Sequence, residues 1–189
     1  MHNFTPEIEE IVSFVQSECA SHGSDTPMSI LIDGPSGSGK TTLAKELYDR
    51  LGTHKPALVH MDDLYLGWNG LNAGIARASL ELLEPHGLGL PATFQAYNWQ
   101  KGTLGSDISV ADKRMLILEG CGSFGAAIEG DAYVRMWISA DDAVRKERAF
   151  SRGGENYEEY WQMWEDQFID YVRSFAAPTQ ASLVVRAAE

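Results

Sequence analysis

The sequence is poor in the features that mark several large classes of protein. Cysteine is nearly absent: Cys19 and Cys121 are the only two, far apart and with no metal-ligand partner at suitable spacing. Neither a disulfide framework nor a zinc cluster is therefore expected, and a reducing, cytoplasmic setting is. Both read as small buried residues, Cys121 within a Gly-rich turn. Basic residues are also scarce, 15 against 27 acidic ones, for a formal charge of −12. Such a surface repels phosphate polyanions and no basic patch relieves it, so no nucleic-acid partner is expected. No apolar run approaches the length that crosses a bilayer. The opening residues, with Glu7, Glu9 and Glu10, are acidic where a secretion signal is basic, so no membrane partner is expected either. Repeats and low-complexity tracts are missing, which excludes solenoids and wholesale disorder.

What is present is one domain's worth of chain, 189 residues with 44% hydrophobic content, read as a single domain over 1–189. Thr5 can cap a helix with Pro6 at its first position, and Ile8, Ile11, Val12, Val15 and Cys19 then share a face. This gives an N-terminal helix within 1–23. Five short apolar runs, Met28 to Asp33, Ala57 to Met61, Arg114 to Glu119, Tyr133 to Ser139 and Ser182 to Arg186, have the length and β-branching of strands buried on both faces. Stretches of helical period, Thr41 to Leu51, Asn72 to Glu84, Asp141 to Arg152 and Glu155 to Phe175, lie between them. That alternation predicts an α/β fold, a parallel five-stranded sheet with helices on both faces. The interval 64–112 is too long for one crossover and predicts an insertion holding a helix and a small hairpin, placed where substrates bind.

The strongest signal is Gly34-Pro35-Ser36-Gly37-Ser38-Gly39-Lys40-Thr41, which fits G-x-x-x-x-G-K-[ST] between a strand and a helix. Backbone N–H groups must curl around phosphate oxygens, so the loop needs glycines, and the helix after it points its positive end at the anion. A nucleotide's phosphates are expected there, held by Gly34 through Thr41 with the neighbouring Thr42. Lys40 would reach the β- and γ-phosphates, and the Thr41 hydroxyl would ligate Mg²⁺. The loop makes the fold a three-layer P-loop NTPase sandwich.

A phosphate loop does not choose between a kinase and a switch or ATPase module, so other residues must decide. Asp62 and Asp63 end the second strand, on the side of the loop, where a carboxylate can accept a hydroxyl proton, orient an acceptor or hold Mg²⁺. Asp62 is preferred as the base and Asp63 is kept as the alternative or a helper. Met115-Leu116-Ile117-Leu118-Glu119 resembles a Walker B strand, with Glu119 in the magnesium shell. Arg145, Arg148 and Arg152, at i, i+3 and i+7, share a helix face and could close on a transferring phosphoryl group as a lid, 141–154, with Gly153-Gly154 as its hinge. The plainer alternative is a solvated helix with ion pairs to Asp142 or Glu147. Tyr65, Trp68, Tyr97 and Trp99 could stack on a base or sugar, whereas Trp161, Trp164, Phe168 and Tyr171 have the spacing of core packing. The five histidines show no partner pattern and receive no role.

These motifs together resemble the uridine kinase and phosphoribulokinase branch of the P-loop kinases. The resemblance is carried by G-P-S-G-S-G-K-T, by Asp62-Asp63-Leu64-Tyr65 as a form of D-S-x-Y, by Tyr97-Asn98-Trp99 as a form of Y-D-[FW], by Glu119-Gly120 and by the lid arginines. It implies that Asp62 is the catalytic base, that Thr41 and Glu119 serve Mg²⁺, that Tyr65, Tyr97 and Trp99 contact the acceptor, and that Arg145, Arg148 and Arg152 close on the phosphates. Asp63 stands where that family has Ser, Asn98 where it commonly has Asp, and Gly102 where its nucleoside-specific members place a base-contacting His. Ala149 interrupts a fourth arginine. The expected activity is ATP-dependent phosphorylation of a small-molecule hydroxyl, with a nucleoside the leading acceptor and another sugar, polyol or pantothenate-like compound the alternative.

Overall fold

The computed structural model describes residues 4–23, 26–51, 56–111, 113–153 and 157–187. In chain order these form β1 (Phe4–Thr5), α1 (Ile8–Ser21), β2 (Met28–Asp33), α2 (Lys40–Arg50) and β3 (Ala57–His60). After β3 comes a helical run, α3 (Leu71–Arg77), a π-wound segment Ala78–Leu83 and α4 (Glu84–Gly87). The hairpin β4 (Ala92–Asn98) and β5 (Thr103–Val110) follows, then β6 (Met115–Glu119), β7 (Ala132–Ser139), α5 (Asp142–Gly153), α6 (Tyr157–Phe175) and β8 (Leu183–Ala187).

The main sheet has the order β1-β8-β7-β2-β6-β3. Strands β8, β7, β2, β6 and β3 run parallel, while β1 pairs antiparallel with β8. The sheet is therefore mixed and six-stranded, one strand more than the sequence suggested. The extra strand also corrects the helix start. Phe4 and Thr5 are drawn onto the open edge of β8, opposite Ala187 and Arg186, and Phe4 is buried there. The helix begins at Ile8 instead, where the Glu7 N–H donates to Glu10 Oε2 at 3.2 Å.

Alternation of side chains along the strands builds the two faces. Leu31, Leu116 and Leu118 face a core closed by Leu71, Ile75, Leu82, Phe94, Trp164 and Phe168. Ile30, Ile32, Ile117 and Val134 face the other core, closed by Ile11, Val15, Leu43 and Leu47. Helices thus cover both sides of the sheet. The crossover from β2 runs past β6 to β3 on one side, whereas the crossover from its other neighbour, β7, runs to β8 on the opposite side. In such sheets the crevice opens beyond the carboxyl end of the strand at the switch. Asp33, His60 and Glu119 end their strands at that crevice.

Candidate active site

The loop after β2 is shaped by close backbone approaches that only glycine permits. Gly34 has φ +146° and a Cβ there would strike the Ile138 carbonyl, while Gly37, at φ +78°, is pressed against the carbonyl of Arg145. The start of the loop is held by Asp33, which is completely buried. Its Oδ1 accepts the N–H groups of Gly34 (2.7 Å) and Gly122 (3.0 Å), and its Oδ2 accepts the Phe124 N–H (3.0 Å) and the Tyr171 hydroxyl (2.5 Å). Burial nevertheless raises the Asp33 carboxyl above the usual range, outweighing the donors from Tyr171, Phe124, Gly122 and Gly34.

Helix α2 begins at Lys40, whose Nζ donates to the carbonyls of Gly34 (2.8 Å) and Pro35 (2.9 Å). The loop and its lysine open into a cavity of about 590 Å³ lined also by Thr41, Lys45, His60, Asp62, Asp63, Glu119, Cys121 and Arg152. Tyr65, Trp68, Trp99, Tyr157 and Trp164 form its aromatic wall.

The carboxylates in this cavity are tuned differently. Glu119 is buried, and burial alone would raise its pKa, but the bond from His60, the charges of Lys40 and His60 and the Thr41 hydroxyl together lower it. His60 Nδ1 lies 2.6 Å from Glu119 Oε1, and the Thr41 hydroxyl donates to the same oxygen at 2.9 Å. Asp62 is open to the cavity's solvent, yet the protein crowding its carboxyl desolvates it, and together with the charge of Glu119 raises its pKa against Lys40, Arg152 and His60. Asp63 is raised by desolvation as well, with His60 opposing and Glu119 adding to it.

Several sequence candidates meet in this cavity: Ser36, Gly37, Gly39, Lys40, Thr41, Asp62, Asp63, Tyr65, Trp99, Glu119 and Arg152. Others stand elsewhere. Gly34, Pro35, Ser38 and Thr42 are not on the lining, and the Ser38 hydroxyl is buried without a hydrogen-bond partner among the described residues. Tyr97 is behind Trp99, their rings edge to face at 5.2 Å. Tyr65 borders the cavity, but its hydroxyl is spent on the Cys121 carbonyl at 2.8 Å. Arg145 and Arg148 are also off the lining. Arg145 forms a two-pronged pair with Glu165, at 3.1 and 2.7 Å, and bonds Asp142 at 2.7 Å. The ion-pair reading of this helix therefore describes Arg145, whereas Arg152 alone of the three arginines reaches the cavity. Gly154, half of the expected hinge, lies outside the described residues.

Sequence reasoning missed His60, Lys45, Cys121 and Tyr157, and treated Trp164 as core only. Trp164 is buried and also borders the cavity. For His60 the available signal was its place at a strand end, two residues before Asp62.

The oxygen ligands present suit magnesium, a hard cation usually held by one or two side chains plus phosphate oxygens and water. Thr41 spends its proton on Glu119, which leaves its lone pairs for a metal. Among the described residues no group of three or more His, Cys, Asp or Glu could hold a metal unaided, and a metal that arrives with a nucleotide needs none.

Comparison with solved structures places this architecture beside two others. A possible uridine kinase from Bacillus stearothermophilus is 18% identical with a TM-score of 0.63, over 94% of this chain and 98% of that one. A candidate fructose transport system kinase from Silicibacter sp. TM1040 is 17% identical with a TM-score of 0.62, over the same shares of the two chains. At such identities the likeness is one of fold alone. Comparison with curated proteins gives no match. No helix among the described residues is long and apolar enough to cross a membrane. The model of the AAA domain matches residues 30–170, from β2 through most of α6, and the chain belongs to that family.

Proposed function

We propose that the protein is an Mg²⁺- and ATP-dependent kinase that moves the γ-phosphoryl group to a hydroxyl of a small metabolite, with a nucleoside the leading acceptor. The observation that carries the reading is Asp62. Its carboxyl feels the charges of Lys40 and Arg152, its carbonyl accepts the Trp99 indole N–H at 2.9 Å, and both the phosphate loop and an aromatic wall border the same cavity. A base set between a phosphate cradle and an aromatic face is what transfer to an alcohol requires and what hydrolysis does not.

In this mechanism the backbone of Ser36, Gly37 and Gly39 and the amino end of α2 bind the phosphates, and Lys40 exchanges its loop carbonyls for phosphate oxygens. Thr41 and Glu119 would hold the magnesium, with Asp62 beside them, and the ion would neutralise charge on the phosphoryl oxygens. Asp62 accepts the acceptor's hydroxyl proton as that oxygen bonds to the γ-phosphorus and the bond to the bridging oxygen of ADP breaks. Its raised pKa makes it a better base than an ordinary aspartate. Arg152 offsets charge on the transferring group, while Arg145 ties the lid helix to α6. The segment 64–112 supplies Trp68 and Trp99 for the acceptor's apolar face.

The test is ADP release from Mg-ATP across nucleosides, sugars, polyols and pantothenate, each against a blank without acceptor. Release that depends on an acceptor is expected, and the compound that elicits it names the class. Equal release in every well, the blank included, would replace the kinase with an ATPase and remove the role of the aromatic wall.

A further inference from the structure

His60 ends an edge strand, and its imidazole borders the cavity with its side chain 34% exposed. It donates from Nδ1 to Glu119 Oε1, because that buried carboxylate can only accept. The Thr41 hydroxyl donates to the same oxygen. Glu119 Oε1 thus receives two strong donors, whereas no hydrogen bond to Oε2 is found among the described residues.

We infer that His60 is a positioning residue for the metal seat: it pins Glu119 through Oε1, so that Oε2 is presented to a metal-bound water while the Thr41 oxygen is left to ligate the metal. The pairing has a steric logic. Glu119 has three side-chain torsions, and a single bond from Thr41 leaves the carboxylate free to pivot about Oε1. A second donor to Oε1 from the neighbouring strand, in a register where His60 and Glu119 are paired residues, takes the oxygen's other in-plane lone pair and so fixes the plane of the carboxylate. Groups that orient a metal's carboxylate in this way typically change metal affinity 10–100-fold when removed. Asp62 cannot take this part, since its carboxylate and that of Glu119 repel each other.

The inference rests on the magnesium-nucleotide reading above, and its test separates the two. ADP binding is measured by calorimetry with and without Mg²⁺ for the unaltered protein, for His60→Leu, which has no donor, and for His60→Asn, whose amide can stand in for Nδ1–H. Melting temperatures check that each variant is folded. The expected result is that Mg²⁺ tightens ADP binding in the unaltered protein, that His60→Leu loses about tenfold or more of that gain with metal-free ADP affinity changed less than about twofold, and that His60→Asn recovers most of it. A steady-state readout accompanies this: the Mg²⁺ concentration for half-maximal rate rises in His60→Leu while the acceptor KM holds. A full Mg²⁺ gain in His60→Leu overturns the role of His60 and leaves the metal seat standing. Absence of any Mg²⁺ gain in the unaltered protein overturns the seat itself, and His60's role with it. Equal losses in His60→Asn and His60→Leu would show that ring packing, rather than the donated bond, matters, and so would also refute it.

Discussion

Replacing Asp33 by Ala removes the acceptor of four donors at once. The N–H groups of Gly34, Gly122 and Phe124 and the Tyr171 hydroxyl all converge on its carboxyl, and the side chain is shut off from solvent. A buried donor left without a partner costs about 1–3 kcal/mol. Four of them at about 1.5 kcal/mol come to about 6 kcal/mol. Against this, the variant no longer buries a carboxyl whose desolvation outweighs its bonds, a relief of about 1–3 kcal/mol. The net expectation is a loss of about 3–5 kcal/mol, which for a domain of this size lowers Tm by about 6–20 °C. Urea unfolding followed by tryptophan fluorescence, with calorimetry alongside, would measure it. The pH dependence has a definite sign. A carboxyl raised in the folded state binds its proton more tightly there than in the unfolded chain. Its stabilising share is therefore complete below pH 3.8 and is lost as pH rises through the raised value, and Asp33→Ala should abolish that part of the slope. If the variant lies within about 1 kcal/mol of the unaltered protein, the staple joining β2, the turn after β6 and α6 carries no weight and the reasoning fails.

Three further outcomes are expected. Asp62→Asn should bind ADP within about twofold of normal while kcat falls about 10²–10⁴-fold, and normal turnover would transfer the base role to Asp63. Gly37→Ala forces a side chain into the Arg145 carbonyl at positive φ, so ADP affinity should fall about 5- to 150-fold through strain of about 1–3 kcal/mol; an unchanged dissociation constant would mean that the loop and α5 part freely. His86 is buried with Nε2 3.2 Å from the Met28 carbonyl, and burial lowers its pKa. Its contribution to stability is therefore full above pH 6.5 and lost as pH falls toward the lowered value. His86→Gln should flatten the stability profile below pH 6.5, and an unaltered slope in urea titrations would refute this.

What was legible in the sequence was local. The phosphate loop is a contiguous pattern, and the central strands β2 and β6 announce themselves because they are buried along their whole length and largely apolar. What escaped was decided across the fold. His60 and Glu119 are paired by parallel register, a relation that strand order creates and no spacing encodes. Asp33 finds Tyr171 through the packing of α6 on the sheet. Arg145 has the helical phase of a lid arginine, but phase says which residues share a face and not what that face meets. Here Glu165 lies opposite Arg145 and claims it. Phe4 and Thr5 read as a helix entry because Thr-Pro is a good helix start, and the open edge of β8 outcompetes that local preference.

Helix α6 gives the site its coherence. Through Tyr171 it holds Asp33, which fixes the first residue of the phosphate loop. Through Glu165 it holds Arg145, whose backbone carbonyl is pressed against Gly37 in the middle of the same loop. Through Trp164, one residue from Glu165, it borders the cavity beside Tyr65. The two ties to the loop are of different kinds. The Asp33 tie is wholly buried and strong, whereas the Arg145 tie is an ion pair at the margin of solvent, with side chains 12% and 10% exposed, and runs through a separate helix. Gly37 thus joins the middle of the loop to α5, the helix that also carries Arg152 onto the cavity lining, and α6 braces both ends of that connection.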